Sequence, residues 1–342
     1  MAIGAFICGC RGLEFTPDEI AFLRESDPWG FILFKRNIDS PDQVRALTGH
    51  FRKLVGRDDA PVLVDQEGGR VQRLGPPHWP SYPAARRFGE IYAQDPLSAL
   101  AAARWTARLI AGDLHRLGIT VDCMPVGDVP QPGSHDVIGD RAYAGAPEPV
   151  ALLARAAMTG LMEGGVLPVV KHLPGHGRAH ADSHLSLPVV DAPREALERC
   201  DFVPFAALAD APMAMTAHVV YSALDPETPA TLSADIIGSV IREDIGFAGL
   251  LMSDDLSMKA LAGSLGERAG GAIAAGCDIA LHCNGDLDEM QAVAAGAGTL
   301  TGPALIRAET ALACARPPLE LDRPGTEQRL AEYAGRAGVK LV

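Results

Sequence analysis

Short, continuously apolar runs bounded by turn residues recur along the chain, at residues 5–10, 29–34, 61–65, 120–125, 167–172, 214–219, 250–253 and 278–282. Runs of this length without polar alternation predict strands covered on both faces, as in a parallel sheet. Between them the apolar spacing changes to three and four, which predicts helices. Thr16-Pro17-Asp18-Glu19 combines an N-cap, a proline at the first helical position and a capping-box glutamate ahead of Ile20, Phe22 and Leu23. Asp95-Pro96 opens a helix that carries Leu97, Leu100, Ile110, Leu114 and Leu117 toward Gly118. Segments 149–165 and 193–209 read as helices, and Ser233 caps another with Ile236, Ile237, Val240 and Ile241 on one face.

Alternating strands and helices force a parallel sheet, and about eight repeats in a chain of this length favour a closed (β/α)8 TIM-type barrel of the α/β class over an open sheet. Gly4, Gly9 and Gly12 lack the G-x-G-x-x-G spacing of a dinucleotide site. With no low-complexity linker, residues 1–342 are expected to form a single domain, with 302–342 as helices packed on the barrel.

Thirty Lys and Arg against 43 Asp and Glu give a net charge of −13, which offers no footprint for nucleic acid or an anionic membrane. No stretch reaches the ~18 apolar residues of a membrane span. The seven cysteines, Cys8, Cys10, Cys123, Cys200, Cys277, Cys283 and Cys314, are odd in number and scattered, which fits free thiols in a cytoplasmic protein. No cofactor is expected.

Polar residues gather where the apolar runs end: Lys35-Arg36, Asp65-Gln66-Glu67, Asp122 and Asp128, Lys171-His172, His218, Asp254-Asp255 and Asn284. In a barrel the carboxyl ends of the strands converge on one mouth. So many hydrogen-bonding groups at equivalent positions describe a pocket for a polyhydroxylated ligand such as a sugar.

Within 171–184 four histidines stand four apart, at His172, His176, His180 and His184. A helix would align them as metal ligands, but Pro174, Gly175 and Gly177 oppose that helix, and the general-base glutamate of H-E-x-x-H is missing. The other reading is a long βα loop that brings a titratable group to a substrate, in which Asp182 can accept from the His184 imidazole and set its tautomer. In Ser253-Asp254-Asp255 one carboxylate could attack an anomeric carbon while its neighbour accepts backbone or hydroxyl hydrogen bonds.

Together these residues resemble glycoside hydrolase family 3, and within it the bacterial β-N-acetylglucosaminidases of peptidoglycan recycling. VDQEGGRVQR at 64–73, VIGDRAY at 137–143, KHLPGHG with DSH at 171–184, MTAHVVY at 215–221 and SDDLSM at 253–258 follow the family's order. The resemblance implies that Asp254 is the nucleophile, His184 the acid/base and Asp182 its partner, with Asp65, Arg73, Arg141, Lys171 and His172 holding the sugar. Leu173 and Met252 stand where phenylalanine is frequent in relatives, an apolar exchange at both places.

The implied reaction is a retaining, exo-acting removal of terminal β-linked N-acetylglucosamine from muropeptides through a glycosyl-aspartate, with no metal, nucleic acid or membrane involved. Three alternatives stay open: a phosphorylase of the same family, a metal-dependent hydrolase built on the four histidines, and a sugar-binding protein without turnover.

Overall fold

The computed structural model describes residues 2–180 and 187–342. Eight parallel strands close into a barrel: β1 (Gly4–Cys8), β2 (Pro28–Leu33), β3 (Val62–Val64), β4 (Val121–Asp122), β5 (Leu167–Leu173), β6 (Met213–Thr216), β7 (Leu250–Asp255) and β8 (Ile279–His282). Each pairs with its sequence neighbours, and β8 closes on β1 with Phe6 opposite Ala280. All eight runs read from the sequence became barrel strands, and their residues are buried up to the final carboxylates of β7. The run at 120–125 forms only a two-residue strand, because Pro125 has no N–H to give the ladder.

The ladder is irregular at the carboxyl ends. Pairing of β5 with β6 shifts between Val170 and Leu173, and that of β7 with β8 between Met252 and Asp255. Consecutive strand residues ordinarily face opposite sides, and such a shift lets neighbours such as Lys171 and His172, or Asp254 and Asp255, line the same mouth.

The predicted capping box is present: Thr16 Oγ1 accepts from the Glu19 N–H at 3.2 Å and Glu19 Oε2 from the Thr16 N–H at 2.7 Å, opening the helix Pro17–Ser26. Asp95 caps Pro96–His115, its Oδ1 accepting from the Ser98 N–H at 3.2 Å. The segment 193–209 is not one regular helix. Wider turns over Leu197–Asp201 separate Arg194–Ala196 from Phe202–Ala207, close to Pro204, which cannot donate to a preceding carbonyl. Helices Pro41–Val55, Ala85–Tyr92, Leu265–Ala275 and Leu287–Ala297 add to those read from the sequence. The last two are rich in Ala and Gly and carry little apolar periodicity, since they pack by backbone approach. A Cβ on Gly296 would stand 2.1 Å from the Gly266 carbonyl oxygen.

Helices Gly302–Ala313 and Arg323–Ala337 end the chain, and Arg323 donates to Asp113 of Pro96–His115 at 2.6 Å. Leu330 and Ala334 are buried. Among the described residues no helix is long and apolar enough to cross a membrane.

Candidate active site

β3 delivers Asp65, and the chain then folds back as a short hairpin, Gln66–Gly68 with Val71–Gln72. Its turn needs Gly68 and Gly69, whose φ angles of 92° and 57° lie in the left-handed region. Buried Gln66 fixes the hairpin: its Oε1 accepts from the N–H groups of Arg73 and Leu74, and its own N–H donates to Asp122 Oδ1 at 2.9 Å. Arg73 thereby returns beside Asp65.

Lys171 joins the pieces. Its Nζ donates to Asp65 Oδ1 at 2.9 Å and lies 2.8 Å from Glu67 Oε1. Arg73 donates to Asp65 Oδ2 at 2.9 Å, and Arg141 grips both oxygens of Glu67 at 2.8 Å. Burial alone would raise the Asp65 and Glu67 carboxyls, but the cations overcome it, holding Asp65 well below the usual carboxylate range and Glu67 at about 2. Burial likewise pulls Lys171 down, and its two carboxylates more than restore it. Beneath them burial pushes the Asp122 carboxyl well above its ordinary value. Three cations facing two carboxylates present fixed donors and acceptors to a ligand rich in hydroxyls.

Glu67 stabilises the fold through this depressed pKa. Its contribution is complete above its ordinary value of 4.5 and is lost as pH falls through about 2. Glu67→Gln should therefore reduce the slope of unfolding free energy against pH in that window by close to one proton, measured by urea titration. A variant curve parallel to the wild type would contradict the assignment.

On the opposite side His172 Nδ1 donates to Asp128 Oδ2 at 2.7 Å, which leaves Nε2 as its atom for a ligand. Asp128 Oδ1 accepts the His176 N–H at 2.7 Å. A Cβ on Gly177 would stand 2.3 Å from the Val129 carbonyl oxygen, so this loop must carry glycine there to lie against its neighbour. Asp254 comes from the end of β7. Burial acts to raise its carboxyl, yet the imidazoles of His172 and His218, the Asp255 N–H at 2.8 Å and Lys171 hold it below the ordinary value. Asp255 is occupied as expected, accepting from Ser257 N–H and hydroxyl and from the Cys283 N–H.

These groups share one cavity of about 530 Å³ at the barrel mouth, lined by Asp65, Arg73, Arg141, Lys171, His172 and Asp254. Phe34, Met215, Met258 and Leu281 give it an apolar wall, with the Arg73 guanidinium 5.1 Å from the Phe34 ring centre. Six of the eight predicted site residues are thus together. The other two, Asp182 and His184, lie outside the described residues. Glu67, Asp128 and His218 belong to the strand-end set that marks the pocket, but the sequence assigns them no individual role. Nothing in their local sequence reveals that they brace Arg141 and Lys171, His172, and the Asp255 carbonyl respectively. Asn284, also a strand-end residue, donates to Glu289 and is not part of the cavity wall.

His180 pairs with the Gly133 carbonyl and His172 with Asp128, and among the described residues no three His, Cys, Asp or Glu group as metal ligands would. The metal-hydrolase alternative finds no support there.

A family model for the glycosyl hydrolase family 3 N terminal domain matches residues 16–309. The chain is 42% identical over 288 residues to a beta-hexosaminidase of Alkalilimnicola ehrlichii, spanning 83% of this chain and 82% of that one. Native NagZ from Neisseria gonorrhoeae is similar in structure with a TM-score of 0.86 and 34% identity, over 98% of both chains. NagZ from the same organism in complex with N-trifluoroacetyl-D-glucosamine gives a TM-score of 0.87 at 33% identity, over 98% of this chain and 99% of that one.

Proposed function

Because the chain belongs to glycosyl hydrolase family 3, we propose that it removes terminal β-linked N-acetylglucosamine with retention of configuration, through a covalent bond between Asp254 and the sugar. Its type is that of the β-N-acetylhexosaminidases. The observation that carries the reading is the ionised Asp254 in the same cavity as the ion network of Asp65, Arg73, Lys171, Glu67 and Arg141.

In this mechanism a carboxylate oxygen of Asp254 attacks C1 from below the ring while the His184 imidazolium protonates the departing glycosidic oxygen. Neutral His184, oriented by Asp182, then takes a proton from water, which attacks C1 and releases Asp254. Lys171, Arg73, Arg141, Asp65 and His172 Nε2 hold the hydroxyls and the acetamido group, so the ring enters the attack geometry already oriented. The N-trifluoroacetyl-D-glucosamine bound by the Neisseria protein supports a sugar of this kind. We assign the natural substrate to muropeptides of cell-wall recycling, and the reaction to the cytoplasm, where seven unpaired cysteines persist as thiols.

The test uses a series of aryl β-N-acetylglucosaminides with wild type and His184→Ala. The β-anomer should appear first by proton NMR. The variant should lose on the order of 100-fold or more in kcat/KM for poor phenolate leaving groups and little for good ones, which need no protonation. An α-anomer as first product would contradict the covalent step, and an equal loss across the series would contradict the acid role.

A further inference from the structure

His218 lies in the stretch at 215–221, just beyond β6, and the mechanism above gives it no part. It is fully buried, and both ring nitrogens are engaged. Nε2 lies 3.0 Å from the Asp255 carbonyl oxygen and Nδ1 lies 2.7 Å from the Thr231 hydroxyl. A carbonyl can only accept, so the proton must sit on Nε2. Burial pushes this imidazole down, against the pull of the Asp254 and Asp255 carboxylates. Nδ1 is held by the Thr231 hydroxyl, which is itself anchored by donating to the Ala217 carbonyl oxygen at 3.0 Å. The Thr216 hydroxyl lies 2.8 Å from that of Thr231 and is hydrogen-bonded to it. All three side chains are buried, so water cannot substitute for any of them.

This network ends on the peptide that holds the nucleophile. The Asp255 N–H donates to Asp254 Oδ1, and the Asp255 carbonyl receives His218. The same residue is held at its side chain by Ser257 and Cys283. We propose that His218 is a positioning residue for Asp254: by fixing the Asp255 carbonyl it sets the N–H that orients the Asp254 carboxylate, and Thr231, anchored on the Ala217 carbonyl, holds the ring in place from its other nitrogen. The inference rests on the reading of Asp254 as nucleophile.

The experiment measures kcat and KM on an aryl β-N-acetylglucosaminide for His218→Phe, His218→Gln and Thr231→Val, with thermal melts alongside. Phenylalanine keeps the bulk and removes the donor, whereas glutamine places an amide N–H near the position of Nε2. A misplaced carboxylate slows attack more than it weakens binding, so His218→Phe should lose on the order of 30-fold in kcat with KM within about threefold. His218→Gln should recover to within about fivefold of wild type, and Thr231→Val should lose roughly three- to tenfold in kcat.

Wild-type kcat in His218→Phe, a loss carried entirely by KM, or a glutamine variant no better than phenylalanine at equal melting temperature would each overturn the proposal. If His218→Phe fails to fold, Thr231→Val decides, and an unchanged kcat there overturns it. Asp254→Asn is the control. An inactive Asp254→Asn beside a fully active His218→Phe removes this proposal alone, whereas an active Asp254→Asn removes the nucleophile reading and this inference together.

Discussion

Asp254→Asn should reduce turnover of an aryl β-N-acetylglucosaminide by about 10⁴-fold or more, the equivalent of roughly 5 kcal/mol or more of transition-state stabilisation. Asparagine keeps the shape and still accepts the Asp255 N–H, so the cavity should persist and KM should change little. What disappears is the negative charge that makes the oxygen a nucleophile toward C1. A companion variant, Asp254→Gly, should regain turnover with added azide and yield the α-linked glycosyl azide, because the anion enters from the side that the carboxylate vacates. Near-normal turnover by Asp254→Asn, or no azide product from a folded glycine variant, would count against the covalent role.

Lys171→Met should damage both stability and catalysis. The lysine is buried and is shared by Asp65 and Glu67, each of which has one further cation, Arg73 or Arg141. Removing it leaves two buried carboxylates facing each other with too little positive charge, and breaking such a cluster costs about 3–5 kcal/mol. Because Lys171 helps to hold both carboxyls down, their pKa values should rise in the variant. One will then take up a proton as pH falls, so the variant's stability deficit should shrink as pH falls through the acid range, which denaturant titrations at pH 7 and pH 3 would detect. Activity should fall by on the order of 10²-fold or more in kcat/KM, since the hydroxyl-binding donors lose their fixed geometry. A deficit independent of pH would mean that the carboxyls are not coupled to the lysine as described.

Legibility differed among residues for identifiable reasons. Asp65, Lys171, His172 and Asp254 each end a buried strand, and a charge in that place must either be paired or face a site, so local sequence marks them. Glu67 and Asp128 carry the same mark, yet their use depends on partners 74 and 44 residues away, Arg141 and His172. Phe34 ends an apolar run and Met258 follows another, and nothing in their spacing separates a cavity wall from the core. The helices at 265–275 and 287–297 are not legible in the sequence because glycine and alanine packing leaves almost no hydrophobic period to read.

The order of elements, the eightfold alternation and the end of each strand at which chemistry gathers were set by the sequence itself, through runs of apolar residues that can be buried only in a covered parallel sheet. Barrel closure decided the rest. It brought Arg73, Lys171 and Arg141 around two carboxylates, shifted the ladder at β5 and β7 so that consecutive residues share one mouth, and set His218 against the Asp255 carbonyl. These are relations between residues far apart in the chain, and no local pattern encodes them, because a charge or a ring nitrogen acquires its state only from the groups that burial places beside it.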